Sequence, residues 1–88
     1  MYYVYVLQRT ANPKELYFGY SSDLKRRVAE HQKIAPSFTG VRGEWKLIYY
    51  EAYHSEKDAR DREKMLKQYG SAKGHLKNRI RNSLHIKS

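Results

Sequence analysis

Several side chains with chemical potential recur at spacings that place them on the inward faces of different elements. The stretch LYFGYSSDLKRRVAEH, Leu16 to His31, reads as a strand with Gly19 between Tyr17 and Tyr20, then a capped helix. On that helix Arg27 follows Leu24 by three and precedes His31 by four, so both share the face that Leu24 and Val28 would bury. On a later helix Glu63 stands four after Ala59 and three before Leu66, with Tyr69 extending the same stripe. Taken singly, each has a plain structural explanation. A half-buried arginine snorkels, a lone histidine packs, and a carboxylate on an apolar face is paired with an arginine or holds a cation. Taken together, tyrosine hydroxyls, a guanidinium, an imidazole and one carboxylate are the parts of a metal-assisted phosphodiester site. The guanidinium can grip two phosphate oxygens at once, and one carboxylate suffices for a cation such as Mg²⁺ that keeps most of its waters.

Three strands and three helices are expected to position these groups. Tyr2 to Gln8 is β-branched and aromatic with apolar residues on both faces, as in a strand covered on both sides. Asn12-Pro13 breaks it into a turn, and Leu16 to Tyr20 returns as the second strand of a hairpin. Gly19 inside that strand marks a bulge or a close backbone approach. Ser21, Ser22 and Asp23 offer N-caps for a helix from Leu24 to about Gln32. Residues 34–43 read as an irregular surface loop exposing Arg42. Trp45 to Tyr53 is a third strand, and Ser55 with Asp58 approximates a capping box for a helix ending near Gly70. Residues 72–84 form a third helix, with Leu76, Ile80 and Leu84 at i, i+4 and i+8. The order ββα-βαα predicts an α/β (α+β) fold: a small three-stranded antiparallel sheet flanked by helices, one domain over residues 1–88.

The charge narrows the partner. The chain carries a formal +9, and no acidic residue follows Glu63, while Lys64, Lys67, Lys73, Lys77, Arg79, Arg81 and Lys87 do. A one-sign segment of this kind suits a polyanion, nucleic acid before membrane, because it has few large apolar residues for a lipid face. Nine tyrosines among the basic residues fit the same surface, and they are also good strand formers. Absence of cysteine excludes disulfides and thiolate metal sites. No apolar run is long enough to span a bilayer and the first residues lack a signal-peptide pattern, so the expected location is the cytoplasm.

Tyr3-Val4-Tyr5 and Tyr17-Phe18-Gly19 form two signature triplets. An arginine eight residues after the second glycine, a histidine four later and a helix-borne glutamate in ARDREKMLK complete the pattern. The chain thereby resembles the GIY-YIG nuclease domains, specifically their short bacterial members, from Tyr2 to about Arg81. The resemblance implies a metal-dependent endonuclease that hydrolyses DNA, or RNA, with weak sequence preference, acting in repair or recombination. It implies Tyr17 as general base, a role in which a free phenol with a pKa near ~10 needs a nearby cation, and Tyr5 as a group positioning water or phosphate. Arg27 would bind the scissile phosphate, His31 would assist the base or orient the phosphate, and Glu63 would be the sole protein ligand of one Mg²⁺ or Mn²⁺. Gly19 would leave room for the substrate backbone.

The pattern also departs from the family. Tyr3 replaces a glycine, Tyr20 stands where some relatives carry a lysine, and a polar residue downstream of the glutamate is matched only by His75 or Asn78. Backbone phosphates are expected to meet Lys25, Arg26, Arg42, Lys73, Lys77, Arg79 and Arg81. Two other readings share the charge pattern: a nucleic-acid-binding module of the same fold without cleavage, and a tyrosine-rich domain that binds an acidic protein.

Overall fold

The computed structural model describes residues 1–30 and 45–84. Strands β1 (Tyr2–Arg9), β2 (Leu16–Ser21) and β3 (Trp45–Tyr53) form one antiparallel sheet in the order β2-β1-β3. The expected three-stranded antiparallel sheet with helices is therefore the one observed. β1 is central, and its residues Val4 to Gln8 are buried without a break, as a strand covered on both faces requires. The turn into β2 is set by Asn12, whose side chain accepts from the Lys14 N–H at 3.3 Å while its carbonyl accepts from Glu15 N–H at 2.9 Å. The loop 34–43 with Arg42, and the end of the first helix with His31, lie outside the described residues.

Register assigns the faces. Val4 and Val6 pair with Tyr20 and Phe18 and share one face, against which Ala59, Leu66, Leu76, Ile80 and Leu84 pack as the main core. Tyr5 and Leu7 pair with Gly19 and Tyr17 on the other face. Between Val6 and Leu7 the pairing with β3 slips by one, so Val6 meets Tyr49 and Leu7 meets Leu47. This bulge leaves Ile48 as an extra residue, and Ile48 and Tyr49 both reach the core despite being consecutive.

Helix α1 opens at residue 24 and is described to residue 30. Asp23 is its cap: the side chain accepts from Arg26 N–H at 3.3 Å and the carbonyl from Arg27 N–H at 3.1 Å. Helix α2 (Glu56–Gln68) is capped by Ser55, which accepts from Asp58 N–H at 3.4 Å. Two boundaries differ from the sequence reading. The backbone extends at Tyr69, and Gly70 opens helix α3 (Gly70–Arg79) instead of closing α2. Because α2 ends first, Tyr69 leaves the inward stripe and is 56% exposed. The third helix breaks at Ile80, and α4 (Arg81–Leu84) follows. Leu76, Ile80 and Leu84 are nevertheless all buried, as their spacing requires. Buried Gln8 ties the pieces together, donating to the Pro13 carbonyl at 2.9 Å and to the Leu84 carbonyl.

Candidate active site

Tyr5 and Gly19 face each other across β1 and β2, and the glycine is what lets the tyrosine lie flat. A Cβ at position 19 would overlap the Tyr5 ring carbon and hydroxyl and would stand 2.9 Å from Tyr17 Cε1. The glycine therefore answers to an internal constraint, the Tyr5 phenol, where the sequence suggested a bulge, a close backbone approach or room for the substrate backbone. Tyr17, two residues from Gly19 on the same strand face, places its ring centroid 6.2 Å from that of Tyr5. Trp45 backs it edge-on at 6.4 Å. Tyr20 does not join them. A strand alternates with period two, so Tyr20 projects to the helix-covered face, where its hydroxyl donates to Glu56 at 2.7 Å.

α1 brings Arg27 to the same point. Its guanidinium reaches Glu30 at 3.4 Å, with the arginine side chain 46% exposed, and lies close enough to the Tyr5 phenol for each to shift the other's ionisation. The phenol raises the guanidinium above its ordinary value. Tyr5 is itself wholly buried, and burial pushes its hydroxyl up, outweighing the opposing effect of Arg27; Tyr17 and Glu63 add to the rise. Tyr5 is thus a neutral hydrogen-bonding phenol at ordinary pH.

Glu63 completes the cluster from α2. Ala59 and Leu66 dock that helix on the core, which leaves Glu63 and Lys67 on the flank near the edge strand β2. Lys67 Nζ is 3.0 Å from the Glu63 carboxylate and 5.8 Å from the Tyr17 ring centroid. Lys67 was missed in the sequence, where an i, i+4 Glu–Lys pair reads as surface decoration; its signal is that Glu63 already sits on the apolar stripe. The partner of Glu63 is thus a lysine, where the sequence reading favoured an arginine.

The register sets Tyr5, Gly19 and Tyr17 together in mid-sheet, and Arg27 from α1 and Glu63 from α2 both act electrostatically on the Tyr5 phenol. His75 and Asn78 instead line an open groove with Arg62, Met65, Tyr69 and Arg79, which none of those five residues lines. Lys25, Arg26, Lys77, Arg79 and Arg81 are exposed. Arg26 is shared between Asp23 at 4.0 Å and Glu30 at 3.5 Å, and Lys73 stands 5.4 Å over the Phe18 ring. Among the described residues no three His, Asp or Glu cluster as a closed metal cage. A cation that keeps its waters and takes further oxygens from a phosphate needs only one or two carboxylates. Glu63, with its side chain 24% exposed, fits that donor set. Among the described residues no helix is long and apolar enough to cross a membrane.

Comparison with known proteins places the chain in a family. The chain is 32% identical over 69 residues to UPF0213 protein CPE1444 of Clostridium perfringens, covering 77% of this chain and 72% of the relative. It is 37% identical over 67 residues to UPF0213 protein SpyM50708 of Streptococcus pyogenes (75% and 71%) and to SAG0778 of Streptococcus agalactiae (75% and 74%). No solved structure matches it. The family profile described as the GIY-YIG catalytic domain matches residues 1–75, and the chain belongs to that family of nuclease domains.

Proposed function

We propose that this protein is a divalent-metal-dependent endonuclease that hydrolyses DNA phosphodiesters with little sequence preference. The observation that carries the reading is the pairing of buried Tyr5 with Gly19 beside Tyr17, with Arg27 and Glu63 both within electrostatic reach of the Tyr5 phenol. Arg27 holds two oxygens of the scissile phosphate. Tyr5, a neutral phenol, donates to the phosphate or to the attacking water. Tyr17 accepts the proton of that water, directly or through its hydrogen bonds, as the water oxygen bonds to phosphorus and the bond to the leaving oxygen breaks. Mg²⁺ or Mn²⁺ held at Glu63 would supply charge stabilisation at the leaving oxygen. His31, four residues beyond Arg27, orients the phosphate or assists the base. The exposed Lys25, Arg26, Lys77, Arg79 and Arg81, with Arg42 and Lys73, contact backbone phosphates, so affinity falls steeply with salt.

Labelled duplex, single-stranded, flapped and junction DNA, incubated with Mg²⁺ or Mn²⁺, tests the reading. Wild type cuts at least one of these, and Arg27→Ala and Glu63→Gln each lose about 10²-fold or more, the scale of removing one transition-state charge contact. One specific observation favours a second reading, a binding module without cleavage: Glu63 is engaged by Lys67 at 3.0 Å. Salt-sensitive binding by all three proteins with no cutting would establish that reading instead.

A further inference from the structure

Lys67 stands between two groups of the site. Its ammonium is 3.0 Å from Glu63 and 5.8 Å from the centroid of the Tyr17 ring, and its side chain is 49% exposed. Glu63 and Lys67 are one helical turn apart, and such a pair in contact with solvent is weak. Lysine carries a compact charge on a flexible stem and holds no fixed fork geometry, so it can exchange partners without repacking. Arg27, by contrast, is already engaged by Glu30 at 3.4 Å and by the Tyr5 phenol.

We propose that Lys67 is the counter-ion of the metal-free site: its ammonium holds the Glu63 carboxylate until a divalent cation takes it, and is then released to the substrate phosphate beside Tyr17. This rests on the nuclease reading, since it requires a cation at Glu63. Two cationic groups cannot share one carboxylate at contact distance without repulsion, so cation binding drives the ammonium away from Glu63. The Tyr17 side of the cluster is within reach of the same stem, and there a phosphate oxygen gives the ammonium a new anion. The exchange couples the two ligands. A site without metal keeps its carboxylate neutralised, and a site with metal gains a second phosphate-binding cation beside Arg27.

Metal affinity, measured without substrate, tests the exchange. Mn²⁺ binding is followed by electron paramagnetic resonance or calorimetry in wild type, Lys67→Met, Lys67→Arg and Glu63→Gln, with thermal melting to verify that each is folded. Removing the competing charge in Lys67→Met should tighten Mn²⁺ by about 2–5-fold, the scale of an exposed ion pair, while Lys67→Arg stays near wild type. With Ca²⁺ present, a phosphorothioate single strand should bind Lys67→Met a few-fold more weakly than wild type. If Lys67→Met binds Mn²⁺ no more tightly than wild type while Glu63→Gln loses it, the exchange is overturned and the nuclease reading stands. If Glu63→Gln binds Mn²⁺ as well as wild type does, no cation site exists at Glu63 and both fall.

Discussion

At the residue scale the tightest constraint is the contact between Tyr5 and position 19. An alanine methyl there would overlap the phenol, which is buried and has no free space to retreat into. Gly19→Ala is expected to destabilise by about 1–3 kcal/mol, the range of overpacking, and to move the Tyr5 phenol relative to Arg27 as the ring shifts. Gly74 provides the contrast. It lies inside α3 with nothing within 4 Å of the place a methyl would take, so Gly74→Ala should stabilise by roughly 0.4–1 kcal/mol. Urea unfolding of both variants measures the two opposite signs, and equal effects would refute the contact. The sequence made Arg27 and Glu63 conspicuous because each is a charge on an apolar face. It could not show why Gly19 is needed, because the Tyr5 ring arrives from a neighbouring strand fourteen positions away in the chain.

At the scale of elements, β3 is fastened to α2 through Glu51. Its carboxylate accepts from Arg62 Nε at 3.0 Å and Nη2 at 3.1 Å, from the Tyr49 hydroxyl at 2.6 Å, and from the Tyr53 hydroxyl. Burial works against the charged form of Glu51, but these donors outweigh it and hold the group below the usual carboxylate range. Its contribution is therefore present above the unfolded value near ~4.3 and is lost as pH falls through the lower folded value. Glu51→Gln should cost on the order of 2 kcal/mol at pH 7, as hydrogen bonds to a charged group that is 15% exposed do. The difference from wild type should shrink in acid; a constant difference across pH 3–7 would contradict the linkage. The strands, β3 among them, were legible because β-branched and aromatic runs stop at turn residues. The breaks at Tyr69 and Ile80 were not legible. Leu76, Ile80 and Leu84 stay in phase across the interruption, so the apolar stripe reads as one continuous helix.

At the scale of the whole molecule, a chain of 88 residues with nine tyrosines relies on phenols that must remain protonated. Tyr49 and Tyr53 are each pushed up to about 12, first by burial and then by donating to the Glu51 carboxylate. Tyr5 is raised as well, by burial. In the unfolded chain these groups titrate near ~10. Between those values the folded state holds protons that the unfolded state has released, so stability falls as pH rises from about 10 towards 12. Loss of the lysine charges over the same interval relieves repulsion in a chain of formal charge +9 and opposes that fall. The two effects separate spectroscopically. The phenolate absorbance of Tyr49 and Tyr53 should appear late, coinciding with loss of far-ultraviolet circular dichroism. In Tyr49→Phe/Tyr53→Phe that late rise should shrink. A single rise near pH 10 with the fold intact would mean that these phenols ionise in place. The link between the sheet and α2 would then rest on Arg62 and Glu51 without the two phenol donors.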